Sequence, residues 1–176
     1  MRRTVLAPLA LAAVLLGVQP ASAGAGTGSG TGTGTGTGWE PAPSAPWDVD
    51  AGLRCGFPVH GEPVIDEVMQ RVLKTYPDGA TKRVAYKGDL VVRVTNTETG
   101  AFYDADASGS AVVEHRPDGS QFWTVHGPVL VGIGEGNLPR GLYIIDGVYT
   151  LDISSTGYRT VNLAHGTTDD LCSRVG

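Results

Sequence analysis

The sequence predicts an all-β protein, either an antiparallel sandwich or a small barrel of about eight strands. Runs such as "DLVVRVTN", "GVYTLDIS" and "GYRTVNLAHG" alternate between apolar and polar residues, the pattern of a strand with one buried face. Clusters rich in Gly, Asn, Asp and Thr, such as "TNTETG", "DASGS" and "RPDGS", separate the apolar runs at the intervals typical of hairpin-connected strands. We therefore expect antiparallel pairing through short turns.

The N-terminus has the features of a secretory signal peptide, residues 1–23. Arg2 and Arg3 precede an apolar run at residues 5–18, and "ASA" at residues 21–23 matches a small-residue cleavage site. The apolar run is shorter than the roughly 20 residues that a membrane-spanning helix needs. We expect cleavage after Ala23 and a secreted, extracellular protein with no membrane attachment after cleavage.

Residues 24–46 have the composition of a disordered Gly/Thr- and Pro-rich segment. "GAGTGSGTGTGTGTG" contains no apolar residue larger than alanine, so it cannot bury enough surface to offset the entropy of ordering. In "WEPAPSAPW" the prolines favour an extended chain, and Trp39 and Trp47 are available to pin it to the domain. Residues 47–176 are long enough for a single β domain with its own core.

Charge and motif content exclude several classes of function. Without Arg2 and Arg3, the mature form has 11 basic and 18 acidic residues, a net charge of −7, which does not favour nucleic acid or anionic membranes. The sequence contains no G-x-S-x-G, no H-E-x-x-H and no phosphate-binding glycine loop. No catalytic residue and no cofactor is predicted, although scattered acids such as Asp146 and Asp152 could meet in three dimensions.

The two cysteines predict a disulfide. Cys55 and Cys172 are an even pair in an exported chain, and neither is part of a C-x-x-C motif. The bond would close a loop of 117 residues and join the first strand of the domain to the last. We expect it to contribute a large share of the stability.

Residues 64–73 carry two competing patterns. In "PVIDEVMQRVLKTYPDG" the apolar residues recur at helical spacing, which predicts a short helix near 64–73. However, "TYPDGATKRVAYKGDLVV" and "HRPDGSQFWTVHGPVLV" share a frame of Pro-Asp-Gly followed by glycine and then Leu and Val in either order. If the second copy is a hairpin, the first is one too, so strands on both sides of residues 77–79 are favoured over the helix.

The hairpin around "RPDGS" decides whether two histidines form a site. Proline has no N–H, so a two-residue Asp-Gly loop is disfavoured, and a three-residue Pro-Asp-Gly turn with Gly119 left-handed fits instead. Arg116 then pairs with Ser120, which places His115 on the apolar face and His126 on the other. A shared metal or acid–base site of these two histidines is therefore not expected.

"DADASG" at residues 104–109 resembles the first half of a calcium loop. Asp104, Asp106 and Ser108 supply oxygens at its first, third and fifth positions, and glycine follows at the sixth. The twelfth position is His115 where a calcium loop has a bidentate glutamate, and the flanking residues alternate as strands do. These three residues are the weak metal candidates of the chain, and a β-turn is the favoured interpretation.

The order of short motifs along the domain also suggests a relationship. "CGFPV", "LVVRVTNTETG", "ASGSAVV", "PDGS", "LPRGLY" and the closing "DLCSRVG" resemble a family of secreted, uncharacterised single-domain β proteins from GC-rich Gram-positive bacteria. The resemblance covers nearly all of the chain after Trp47. It implies the fold and export, and it brings no catalytic or binding residue with it.

Two functional classes remain open. The first is an exported, non-catalytic extracellular β module that associates with a protein or a cell surface through strand edges and loops. The alternative is a small apolar-ligand binding barrel of the lipocalin-like kind, and a hydrolase or a calcium-binding domain is less favoured. A filled interior would favour the first class, and an internal cavity the second.

Overall fold

A computed structural model describes residues 38–176. The signal peptide expected at residues 1–23 and most of the Gly/Thr-rich segment lie outside the described residues. No helix within residues 38–176 has the length and apolarity to cross a membrane. The elements are β1 Glu40–Pro41, β2 Trp47–Val49, β3 Val59–Asp66, β4 Met69–Thr75, β5 Thr81–Lys87, β6 Leu90–Asn96, β7 Phe102–Asp106, β8 Ser110–His115, β9 Gln121–His126, β10 Val129–Ile133, β11 Gly141–Ile153, β12 Arg159–Asp170 and α1 Leu171–Val175.

The strands form two antiparallel sheets, as the all-β expectation requires. The larger sheet has eight strands in the order β1-β4-β5-β8-β9-β11-β10, with β12 on the free side of β11, and the smaller has the order β2-β3-β6-β7. The larger sheet ends in strands with open edges and does not close on itself in the part of the chain that the structure describes. The antiparallel all-β prediction is confirmed, and the closed barrel offered as an alternative is wrong.

Two hydrophobic cores lie on opposite sides of β10. In "VLVGI", Val131 and Ile133 belong to the core of the larger sheet, while Leu130 packs into the core of the smaller sheet. The first half of β11 alternates in the same way. This double burial explains why the sequence is apolar at almost every position here, since a strand covered on both faces does not alternate.

A pair of glycines marks the place where β11 changes partners. β11 pairs with β10 up to Ile145 and with β9 from Val148 onward, and β12 follows it throughout. Gly147 and Gly166 face each other at this point with φ of +145° and +134°. A Cβ on either glycine would overlap the backbone of the opposite strand, so only glycine permits the close approach.

The Pro-Asp-Gly hairpin has the predicted geometry. Arg116 N–H donates to the carbonyl of Ser120 over 2.9 Å, and Gly119 has a φ of +83°. Register follows from this turn, with His115 opposite Gln121 in the β8–β9 pair. The three-residue turn and the opposite orientation of the two histidines are confirmed.

The possible helix near residues 64–73 does not form. These residues end β3, pass through a short connection and enter β4, which pairs with β5. Val64, Ile65, Val72 and Leu73 keep 39–48% of their surface exposed, so no helical apolar face is buried. Backbone pairing with β5 and β6 supplies the hydrogen bonds that an isolated helix would have supplied.

A strand lies before the domain boundary expected at residue 47. Glu40 and Pro41 form β1 and pair with Gln70 and Met69 of β4. The sequence predicts a disordered segment at residues 24–46, whereas residues 40 and 41 within it are paired as a strand. Trp39 pins the segment as the sequence suggested, because Arg71 and Lys87 lie over its ring at 5.1 and 4.4 Å from the centroid.

The predicted disulfide is present, although it joins other elements than expected. Cys55 and Cys172 are bonded, with their Cα atoms 5.3 Å apart. Cys55 lies in the loop between β2 and β3, and Cys172 lies in α1 instead of a final strand. This helix was not predicted, and it begins where the Asp170 carboxylate accepts a hydrogen bond from the Cys172 N–H. The bond therefore clamps a loop to the C-terminal helix.

Candidate functional site

The inner face of the larger sheet forms the floor of a cleft of about 660 Å³. Side chains of β4, β5, β8 and β9 stand in cross-strand rows on this floor. The middle row contains Val72, Val84, Val113 and Trp123, which are direct partners on successive strands. Because paired residues of neighbouring strands project to the same side, the rows form a continuous apolar surface.

Polar side chains lie at the two ends of this floor. One flanking row contains Gln70 and Tyr86, and the other contains His115 and Gln121. Burial lowers the pKa of His115 and raises the pKa of the Tyr86 hydroxyl, so both groups favour their neutral forms. The Gln121 side chain accepts a hydrogen bond from Trp123 Nε1 over 2.9 Å and fixes the indole at the edge of the cleft.

The other walls come from separate parts of the chain. Leu90 of the smaller sheet and Ala107, just after β7, line one side, and Val129 at the start of β10 lines another. These contributions are apolar, and no ion pair of the described residues crosses the cleft. The result is an open cavity with a largely apolar lining, in which Glu40 and Lys87 are the charged residues.

A strap at residues 39–46 covers one end of the cleft. Ala42 N–H donates to the Val68 carbonyl over 2.9 Å, and Ser44 N–H donates to the Asp66 carboxylate over 2.6 Å. The Gln70 side chain donates to the Glu40 carboxylate over 3.0 Å. Residues 42–44 line the cavity, so the segment expected to be a disordered tail is part of its wall.

The weak calcium candidates do not form a loop around an ion. Asp104 and Asp106 project from β7, and Arg93 donates two hydrogen bonds of 2.7 and 2.8 Å to the Asp104 carboxylate. Ser108 exchanges hydrogen bonds with the backbone of Leu90, and its N–H donates to Asp106. The arginine holds the pKa of Asp104 below its ordinary value. The segment is a strand end followed by an Asx turn.

Other titratable groups are also kept apart. His115 faces the cleft and His126 lies on the exposed outer face of the sheet. Asp146 and Asp152 lie on the same strand, about 20 Å apart along it, and Asp152 contacts Arg116 at 3.4 Å. Among residues 38–176, no cluster of three or more His, Cys, Asp and Glu side chains is arranged to hold a metal ion.

Sequence reasoning placed single strands correctly but did not identify the cleft. The register that follows from the Pro-Asp-Gly turn pairs Val113 with Trp123 and puts His115 on the inner face of the sheet. Both agree with the structure. The missing information was the pairing of β5 with β8, which joins residues about 30 positions apart in the chain. One local signal points to a buried arginine outside the cleft, because Arg159 shares the apolar face of "YRTVNL" with Val161.

Comparison with protein-family models, with curated proteins and with solved structures gave no match to this chain. The interpretation of the cleft therefore rests on its own geometry and chemistry.

Proposed function

We propose that the protein is an exported, non-catalytic β module that binds a small apolar molecule in the cleft between its two sheets. The observation that carries this proposal is the cavity of about 660 Å³, whose floor is an apolar face of the larger sheet. Small-molecule sites have volumes of roughly 300–1,000 Å³, apolar walls and a few convergent polar groups. The open sheet makes this a cleft between sheets, unlike the lumen of a lipocalin-like barrel.

Export is part of the same proposal. It rests on the signal-like residues 1–23 and on the resemblance to secreted proteins, and the Cys55–Cys172 bond is consistent with an oxidising compartment. An extracellular binding module that takes up an apolar compound from its surroundings needs neither a cofactor nor a catalytic group.

Binding of a neutral fluorescent probe tests the function. N-phenyl-1-naphthylamine should give a saturable increase in fluorescence with the purified protein, and a neutral long-chain alcohol, dodecan-1-ol, should displace it. Val72→Trp should weaken probe binding at least tenfold, because Val72 lines the cleft and is 39% exposed, so a larger side chain fills the cavity without disturbing the core.

A matched control is the neighbouring residue of the same strand. Leu73 is 42% exposed and does not line the cleft, so Leu73→Trp should bind the probe as the wild type does. Absence of saturable binding, or equal loss in both variants, would contradict a ligand site in the cleft.

A second candidate function is association with a protein or a cell surface. Within residues 38–176, β7 pairs with β6 on one side only, and it carries Phe102 and Tyr103, which are 57% and 37% exposed. Exposed aromatic residues beside an open strand edge are typical of an interaction surface. A photo-crosslinking residue at position 102 should form adducts on intact producer cells, and one at position 156, in the turn between β11 and β12, should not. Equal labelling at both positions would contradict this candidate.

A further inference from the structure

A second, smaller cavity of about 60 Å³ adjoins the cleft, and Trp123 lines both. Its walls include Trp47, Leu130 and Ile153, together with the side chains of two arginines, Arg54 and Arg159. No aspartate or glutamate is among its lining residues. The charged side chains that line this apolar cavity are therefore both cationic, and no acidic side chain of the lining neutralises them.

The cavity and the cleft lie on the same face of one sheet. The row that begins with His115 and Gln121 on β8 and β9 continues through Ile153 on β11 to Arg159 on β12. Trp123 has Leu151 as its partner in the next row. From β8 to β12 the row crosses three strand spacings, about 14 Å, a length that the extended chain of a medium-length fatty acid can cover.

Arg159 is buried without a compensating partner. Its residue is 8% exposed, and its Nε makes no hydrogen bond among the described residues. Two backbone hydrogen bonds fix its position at the strand end, from its N–H to the Glu135 carbonyl and from the Asn137 N–H to its own carbonyl. The backbone of Arg159 is therefore held in place, while its side chain has no ion-pair partner within residues 38–176.

Gly132 of β10 and Gly134, just after the strand, make room for Arg54. An ideal Cβ on Gly132 would lie 2.8 Å from Arg54 Nε, and one on Gly134 would lie 2.7 Å from Arg54 Nη1. The Gly132 position is also 3.6 Å from Arg159 Nη1, so both guanidinium groups lie over the same glycine. Arg54 directly precedes Cys55, so the disulfide anchors the loop that carries Arg54.

Two neighbouring positive charges destabilise each other and the fold unless an anion lies between them. Burial and the nearby Arg54 lower the pKa of Arg159 to about 10, and the side chain is still charged at neutral pH. Neither arginine is in an ion pair within residues 38–176. A buried cation without an ionic partner destabilises the fold, and an oxyanion would offset that cost through charge-assisted hydrogen bonds.

We propose that the ligand of this protein is an amphipathic anion, whose oxyanion head group binds between Arg54 and Arg159 and whose apolar chain passes Trp123 into the cleft. This inference rests on the proposed function of the cleft and adds the class of ligand to it. Carboxylate and phosphate head groups share the required chemistry, because both accept paired hydrogen bonds from guanidinium groups.

Three ligands with the same chain length separate the head group from the chain. Dodecanoate, dodecyl phosphate and dodecan-1-ol are titrated into the oxidised protein and followed by calorimetry. At least one of the two anions should bind about tenfold or more tightly than the alcohol, the gain expected from a charged hydrogen bond. The tighter of the two anions identifies the head group.

Two variants test whether the preference for the anion over the alcohol depends on Arg54 and Arg159. Arg159→Met and Arg54→Met should each lower the ratio of anion affinity to alcohol affinity to near one. Thermal unfolding of each variant shows separately that it is folded. The matched control Arg83→Met removes a positive charge from a side chain that lines neither cavity, and it should keep the preference for the anion.

The possible failures are distinguishable. Equal affinities of the wild type for the alcohol and both anions would overturn the inference and leave the apolar cleft function standing. A preference for the anion that persists in both arginine variants would overturn it as well. Absence of binding by all three ligands would overturn the proposed function and the inference together.

Discussion

The region around the smaller sheet and the region inside the larger sheet differ in the hydrogen bonding of their buried polar groups. Beside the smaller sheet, Asn96 is 2% exposed, yet its amide donates to the Val175 carbonyl and accepts a hydrogen bond from the Glu98 N–H. Inside the larger sheet, Tyr149 Oη and Arg159 Nε are buried and have no partner among the described residues.

The two regions also differ in closure. The first is tied by the disulfide and by α1, whose Leu171 and Val175 are fully buried. The second contains the cleft, the small cavity and two facing arginines. Satisfied polar groups and a covalent clamp indicate a part of the molecule built for stability, whereas the unsatisfied Arg159, which lines a cavity, is the group on which the proposed ligand site rests.

Removal of the disulfide should have the largest effect on the stabilised region. The double variant Cys55→Ser/Cys172→Ser should lose about 4 to 5 kcal/mol of unfolding free energy in urea, because a closed loop of that size restricts the unfolded chain. A reducing agent should then have no further effect on the variant. Unchanged stability, or two free thiols in mass spectra of the exported wild type, would contradict this role.

A side chain added at Gly147, where β11 changes partners, should cause the next largest loss of unfolding free energy. Gly147→Ala should cost about 2 to 3 kcal/mol, because φ is +145° and the added Cβ overlaps the carbonyl of His165. Gly157→Ala is the control, with φ of +88° and open space around the added atom, and should cost only about 1 kcal/mol. Thermal unfolding measures both. Equal losses would show that the close approach of β11 and β12 is unimportant.

A change inside the larger sheet should stabilise the protein. Tyr149→Phe removes a buried hydroxyl that has no partner within residues 38–176, and should raise the unfolding free energy by about 1 kcal/mol. The control Tyr143→Phe removes a hydroxyl that donates to the Pro139 carbonyl over 3.1 Å, and should lower it by a similar amount. Opposite signs in urea titrations support the contrast between satisfied and unsatisfied groups, and two losses of equal size refute it.

A fall in pH should lower the unfolding free energy, and this effect should be the smallest of the four. Burial lowers the pKa of His115 below its ordinary value of 6.5, so the unfolded chain takes up the proton first as pH falls. Stability should therefore decline below pH 6.5 and level off once the folded protein is also protonated. His115→Gln should remove this component from urea titrations at a series of pH values, and His126→Gln on the outer face should keep it. An unchanged profile in His115→Gln would contradict the assignment.

Much of the fold could be predicted because its signals are local. Alternation in "DLVVRVTN" marked β6, and the missing N–H of Pro117 gave the turn that sets the β8–β9 register. The helical spacing at residues 64–73, the disfavoured alternative, arises because this stretch spans the end of β3, a short connection and the start of β4, whereas period counting assumes a single element. The short helix α1 was missed because five residues carry too little periodicity to detect.

The sequence by itself determined the all-β class, the Pro-Asp-Gly turn, the disulfide partners and the separation of His115 from His126. These follow from side-chain period, from backbone restrictions of single residues and from the count of cysteines. Only the tertiary structure decided that the larger sheet stays open, that residues 39–46 cover a cleft and that Arg54 meets Arg159. The reason is physical: these features depend on which strands pair across long separations, and that choice is made by the summed packing of both cores, which no short stretch of sequence contains.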